Sequence, residues 1–232
     1  MSDALDRVRG VRELPLFPLP VVLFPGVPMP LHIFEPRYRR MLSDVRASNN
    51  LFGLSFYDAG ETGRPAAGHV GCAAEVVEVQ PLPDGRSNIL AVGVARYELE
   101  EYVERGDPYL LARVRFFEDE PEERGTLDER AAEVSALFLR IARAVRTLND
   151  ERASLPELPD AEPERLSFLV AAAMEIEPEA KQQLLEMRSS FERLTRLRNL
   201  LAQALTGYEE RARVHTLAKG NGHGGRKLNF EE

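Results

Sequence analysis

Cysteine, lysine and tryptophan are the scarce residues of this 232-residue sequence, with one cysteine and no tryptophan. A lone Cys72 excludes a disulfide within the chain and any zinc site built from several thiolates. It sits in an apolar run and reads as a buried structural thiol. Lys181, Lys219 and Lys227 are the only lysines, so basic charge rests on arginine. Long apolar runs are missing too. The longest, 21–24 and 168–174, fall far short of the ~20 residues that cross a bilayer. The first ten residues, MSDALDRVRG, have no apolar core and are not a secretory signal. With a net charge of −8 and no long basic patch, the surface repels phosphate backbones. The expectation is a soluble, cytoplasmic protein with neither a nucleic-acid nor a membrane partner.

Proline, by contrast, is concentrated near the start. LPLFPLPVVLFPGVPMPLHIF carries Pro15, Pro18, Pro20, Pro25, Pro28 and Pro30. Each proline removes a backbone donor, so the segment reads as short extended pieces and turns, with Pro25-Gly26 as a turn. Glu35-Pro36 opens a helix whose Tyr38, Met41, Leu42 and Val45 share one apolar face. Asn49-Asn50 ends it. Residues 51–57 alternate, with Phe52, Leu54 and Phe56 on one side and Gly53 and Ser55 on the other, as in a half-buried strand. Residues 58–68 read as a surface loop. A strand over 70–82 slips its alternation near Val76-Val77, as a bulge would cause. Asp84-Gly85 is a hairpin turn. The strand over 88–99 is apolar on both faces and is expected to be central. Another alternating strand, 110–116, follows the Gly106-Asp107-Pro108 turn. Strands joined by turns and hairpins predict an antiparallel, barrel-like domain.

After the acidic stretch EDEPEERG the apolar period changes from 2 to 3.6. Thr126 and Glu129 form a capping box. They begin a helix with Val134, Phe138, Ile141, Val145 and Leu148 in one stripe. The connection LPELPDAEP leads to a helix with Leu166, Leu169, Val170, Ala173 and Ile176 inward. Pro178 opens a shorter helix, and Ser189 with Glu192 caps a long one bearing Leu194, Leu197, Leu201, Leu205 and Tyr208. The organisation read from these patterns is a flexible N-terminus over 1–11, a β-barrel domain over 12–118, an acidic linker over 119–125, a helical bundle over 126–214 and a disordered tail over 215–232. The fold class is α+β.

Three blocks in register resemble one family. LPLFPLPVVLFPGVPMPL is similar to the opening of the Lon protease N-terminal, substrate-binding domain. GHVGCAAEVVEVQPLPDGRSNILAVGVARYEL resembles its next strands, a Pro-Asp-Gly hairpin and a return strand ending in an Arg. PERLSFLVAAAMEIEPEAKQQLLEMRSSFERLTRLRNLL resembles its helical part. LHIFEPRYRRML looks like the free-standing bacterial version. The resemblance implies a twisted, PUA-like pseudo-β-barrel with one helix, followed by a helical bundle. It also implies recognition of protein substrates, in the manner of a proteolysis or quality-control adaptor working with a protease or chaperone.

Catalytic chemistry has little to stand on. A phosphate-cradling G-x-x-x-x-G-K-[ST] is absent. Gly220, Gly222 and Gly225 match G-x-G-x-x-G but follow a helix in the tail. No G-x-S-x-G elbow occurs and no serine pairs recognisably with a lysine. His32, His69, His215 and His223 lack metal-ligand spacing. Glu35 and Glu75 have no evident partner that would tune them as acid and base. The expectation is a non-enzymatic protein with no cofactor and no metal, whose partners are unfolded or exposed polypeptide segments. The candidate peptide-binding residues are Phe17, Leu23, Phe24, Met29, His32 and Phe34. So many apolar side chains in a chain broken by proline cannot all be core, and the remainder form an interaction patch. The competing function is a small-molecule pocket between barrel and bundle.

Overall fold

The proline-rich stretch folds as two strands on different parts of one sheet, β1 (Glu13–Leu19) and β2 (Pro28–Ile33). The computed structural model describes residues 3–57, 64–149 and 161–221, with side chains as far as 217. Between β1 and β2 the chain turns at Pro25-Gly26, where Val27 N–H donates to Phe24 C=O. Gly26 takes a φ of 75°, a left-handed conformation that glycine adopts without strain. Helix α2 (Pro36–Arg46) buries the expected face of Tyr38, Met41, Leu42 and Val45, and Asn50, at φ 62°, ends the turn that follows.

Strands β3 (Leu51–Phe56), β4 (Val70–Pro81), β5 (Ser87–Tyr102) and β6 (Leu110–Phe117) complete a six-stranded sheet. It runs β2-β5-β4-β3-β1-β6, and β6 also pairs with β5. Five strands therefore close on themselves, while β2 extends the sheet from one half of β5. The sheet is mixed. β1 lies parallel to β3, because β2 and α2 form the crossover between them, and this departs from the all-antiparallel expectation. The bulge expected near Val76-Val77 falls between Val76 and Glu78 and leaves Val77 unpaired. As expected, β5 is central, pairing with β2, β4 and β6.

Closure explains why β3 is buried on both faces, not half-buried. Leu51 packs with Leu14, Leu16, Tyr97, Leu99, Ala112 and Val114 in one cluster. Phe52 and Leu54 pack with the α2 face, Phe17, Leu23, Cys72 and Ile89 in the other. Gly53 and Gly71 lie against Tyr97, whose hydroxyl meets Ser55 Oγ at 2.8 Å.

The N-terminus, expected to be flexible, forms helix α1 (Asp3–Arg7). Val8 behind it is buried in the cluster containing Leu14, and Arg7 pairs with Glu75. In the acidic stretch expected to be a linker, Asp119 forms a buried ion pair with Arg96. Helix α3 (Arg124–Leu148) begins two residues before the expected capping box. The Glu123 carboxylate accepts from the N–H groups of Gly125 and Thr126 and so takes the capping role instead.

Helices α4 (Pro163–Ala173), α5 (Pro178–Glu186) and α6 (Ser190–Asn221) follow. The chain forms two compact units. The first joins Met1–Glu122 with Glu164–Ser190, so α4 and α5 belong with the sheet and not with a separate bundle. Gln182 Nε2 donates to Val70 C=O, tying α5 to β4. On α4, Phe168 is buried while Ala173, expected inward, is exposed, and Ile176, also expected inward on this helix, lies beyond its end. The second unit contains α3 and nearly all of α6. Arg130 lies over Phe191, Arg198 reaches Glu133 and Arg140 reaches Glu209. These contacts advance in the same direction along both helices, so the two run parallel. Residues 215–221, expected in the disordered tail, continue α6. Residues 222–232, most of the loop read over 58–68 and most of LPELPDAEP lie outside the described residues. Among the described residues, no helix is long and apolar enough to cross a membrane.

Candidate functional site

β2 is an edge strand with an unusual backbone edge. Gly93 N–H donates to Val27 C=O at 3.0 Å, which sets the phase of the antiparallel ladder. Met29, Leu31 and Ile33 share that phase and turn their polar groups toward β5. Pro28, Pro30 and His32 fall in the alternate phase and face outward. Prolines occupy positions where the ladder requires no donor. The free edge offers the carbonyls of Pro28, Pro30 and His32, but of the three only His32 carries an N–H. A peptide strand added there would find three acceptors and a donor only at His32, so ordinary strand addition is blunted.

Beside this edge lies an apolar groove, a cavity of about 360 Å3 within the first unit. Val21, Val22, Val27 and Met29, with Pro20, Pro28 and Pro30, form one wall. Ala172, Ile176, Pro178 and Lys181 form the other. Beneath it Phe24, with no exposed surface, meets Phe168 with ring centroids 6.0 Å apart. That contact fastens the proline-rich turn to α4 and holds the walls in place. Lys181 Nζ donates to Ala172 C=O at 3.0 Å and so caps the end of α4. Its partial burial pulls its pKa below the ordinary lysine value, against the opposing influence of Glu175.

The six residues singled out from sequence separate into three groups. Phe17, Leu23 and Phe24 are 5%, 1% and 0% exposed. They are core, because the strands and α2 enclose them, and they present no side chain to a partner. Met29 lies in the groove wall. His32 and Phe34 stand together at the other end of β2, with ring centroids 6.0 Å apart and nearly parallel. His32 Nδ1 donates to Asn88 Oδ1 at 2.7 Å, and Arg86 approaches its other ring nitrogen. Phe34 is 57% exposed. Sequence reasoning missed Ile176, Pro178 and Lys181. The available signal was the alternation Glu175, Ile176, Glu177, Pro178, Glu179, which puts apolar residues on one side of an irregular segment.

A second cavity, about 170 Å3, is lined by Tyr38, Tyr102, Tyr109, Arg37, Arg64 and Arg105 among others. Its arginines are paired with Glu35, Glu104 and Glu13, so they offer little free charge to a ligand. Glu35 and Glu75 are thus partners of Arg37 and Arg7. Among the described residues, no group of three or more His, Cys, Asp or Glu side chains is placed to hold a metal ion.

Comparison with known proteins bears on the whole of this fold. Residues 13–203 match the model of the ATP-dependent protease La (LON) substrate-binding domain. The Lon protease of Phenylobacterium zucineum is 32% identical over 84% of this chain and 26% of its own length. That of Anaeromyxobacter dehalogenans is 29% identical over 81% of this chain and 24% of its own. The chain thus spans about a quarter of the length of these curated relatives. Among solved structures, the N-terminal domain of Mycobacterium avium complex Lon protease aligns with a TM-score of 0.64 at 18% identity, covering 82% of this chain and 98% of that one. A Lon N-terminal domain protein from Xanthomonas campestris aligns at 0.59 and 22% identity, over 81% of this chain and 97% of that one. At these identities the structures speak to the fold, which is that of a Lon N-terminal domain.

Proposed function

The chain belongs to the Lon protease substrate-binding domain family, and on that footing we propose that it is a polypeptide-recognition module that binds without catalysing. Its ligands are exposed apolar segments of unfolded or partly folded proteins, delivered to a protease or a chaperone. The observation that carries the reading is the groove between the proline-rich strand and α4–α5, with half-exposed Met29 and exposed Val21 in its wall. Its apolar side chains give a bound segment somewhere to bury its own, and the flexible thioether of Met29 suits varied sequences. Because the β2 edge cannot pair fully, affinity comes from side chains in the groove. Micromolar to millimolar dissociation constants, about −8 to −4 kcal/mol, are expected once the ordering of a flexible peptide is deducted.

The test is an NMR titration of the labelled protein with reduced, carboxymethylated lactalbumin. Shifts concentrated at 20–30 and 172–181 support the reading, and shifts confined to α3 and α6 overturn it. The groove volume also lies in the ~300–1,000 Å3 range of small-molecule pockets, so an apolar small ligand is the second reading. That reading prevails if a small-molecule screen saturates the groove while no polypeptide binds.

A further inference from the structure

Acidic charge borders the groove on one side only. Ile176 and Pro178 line the cavity, and the residues alternating with them, Glu175, Glu177 and Glu179, are exposed. None of the three carboxylates forms a direct ion pair among the described residues, although Glu175 feels the charge of Lys181. The lining cation, Lys181, is already engaged by Ala172 C=O at the end of α4. The proline-rich wall carries no carboxylate; Arg165 of α4 lies against its Gly26 turn, and its backbone edge presents the Pro28 and Pro30 carbonyls without an N–H at either position. One side is therefore acidic, and the β2 edge opposite adds carbonyl acceptors. An occupant that completes this arrangement has an apolar stretch for the walls and donor-bearing cations beside it.

We propose that the groove selects apolar polypeptide segments flanked by lysine or arginine, the cations pairing with Glu175, Glu177 and Glu179 while the apolar side chains enter between Met29 and Ile176. This inference rests on the polypeptide reading of the same groove and names its substrate class. It accounts for discrimination, since complementary rim charge sets which segment is accepted more than how tightly any segment is held. A segment flanked by Asp or Glu meets three like charges and is disfavoured.

The experiment uses two blocked peptides with the same apolar core, one flanked by pairs of lysines and one by pairs of glutamates. Binding to the full chain is followed by fluorescence anisotropy and by NMR shifts. The lysine peptide is expected to bind about tenfold more tightly, the combined effect of three exposed charge pairs. The ratio shrinks toward one at high salt, where such charges are screened. It collapses in the triple variant E175Q/E177Q/E179Q but survives in E120Q/E129Q/E210Q, which removes the same charge elsewhere. Circular dichroism verifies that both variants are folded. Equal affinities for the two peptides, with shifts still in the groove, overturn this proposal and leave polypeptide recognition standing. A ratio that persists in the E175Q/E177Q/E179Q variant, or falls equally in the control, overturns it also. If neither peptide binds, both readings fall.

Discussion

Arg96 on β5 and Asp119 beyond β6 form an ion pair with side-chain exposures of only 1% and 5%. The guanidinium also donates to the carbonyls of Leu185 and Met187, at 3.1 and 2.6 Å, and stacks over Phe117 and Phe168. Asp119 in turn accepts from Ser190 Oγ at 2.5 Å. One buried charge thus joins the barrel, the end of α5 and the start of α6.

Removing Arg96 strands a buried carboxylate and two carbonyls. Arg96→Met is expected to cost about 3–5 kcal/mol, as for other buried pairs broken at one partner. In the double variant R96M/D119L the stranded charge is gone. Stability should then recover in part, leaving about 1–3 kcal/mol for the unpaired carbonyls. Urea denaturation reads both. A loss below about 1 kcal/mol in the single variant would show that the pair carries little.

Gly93 decides where the groove wall lies. A Cβ there would sit 2.1 Å from the Phe24 carbonyl oxygen, a backbone atom that cannot swing aside. Gly93 also donates to Val27 and accepts from Gly26, holding the turn before β2. Gly93→Ala should therefore cost about 1–3 kcal/mol through overpacking. It should also weaken peptide binding, because Val27 and Met29 move with the turn. An unchanged affinity in a folded Gly93→Ala protein would remove the turn from the binding surface.

The sequence carried some of this and hid the rest for physical reasons. Helix α2 was legible because Tyr38, Met41, Leu42 and Val45 repeat at helical spacing and Pro36 marks its start. The bulge at Val77 was legible because a slip in period 2 has one common cause. The parallel pairing of β1 with β3 was not, since strand direction depends on a crossover that no local pattern records. Arg96 was visible only as the residue ending a family-like block. Its role depends on the carbonyls of Leu185 and Met187, about ninety positions away. The groove was half legible. Proline density marked one wall, but apolarity alone could not tell Met29 at the surface from Phe24 in the core.

Cys72 should make the protein sensitive to alkali. Burial pushes its thiol up to about 12 from an ordinary value of 9.0, partly countered by a hydrogen bond at Val94 and by the charge of Arg96. Below pH 9 both folded and unfolded chains keep the proton, and the contribution to stability is constant. Between pH 9 and 12 the unfolded chain releases a proton that the fold retains. Stability then falls with rising pH by up to about 1.4 kcal/mol per unit. In Cys72→Ala that slope is absent, and the buried tyrosines are common to both proteins. The stability difference between wild type and variant should therefore shrink as pH rises through this window. A constant difference from pH 8 to 12 would contradict the buried-thiol account.

The sharpest test of the recognition surface sets Met29 and Val21 against Phe24. All three belong to the same proline-rich stretch, where sequence reasoning singles out Met29 and Phe24 together and passes over Val21. Phe24 has no exposed surface and meets Phe168, so Phe24→Ala should cost about 3–5 kcal/mol and lower the melting temperature by ten degrees or so. Val21 is 40% exposed and Met29 is half-buried, both in the groove wall. Replacing Val21 with serine removes apolar contact area mainly from the bound state; Met29 also packs in part against the core, so its replacement costs a little more stability. Val21→Ser and Met29→Ser should shift melting by only a few degrees, yet weaken an apolar peptide by about 1 kcal/mol or more, roughly fivefold. Phe34→Ser, at the far end of β2, separates the groove from the His32–Phe34 pair. If it weakens binding as much as Met29→Ser does, the surface runs the length of the strand; if Val21→Ser and Met29→Ser melt and bind like wild type, the groove is not the site.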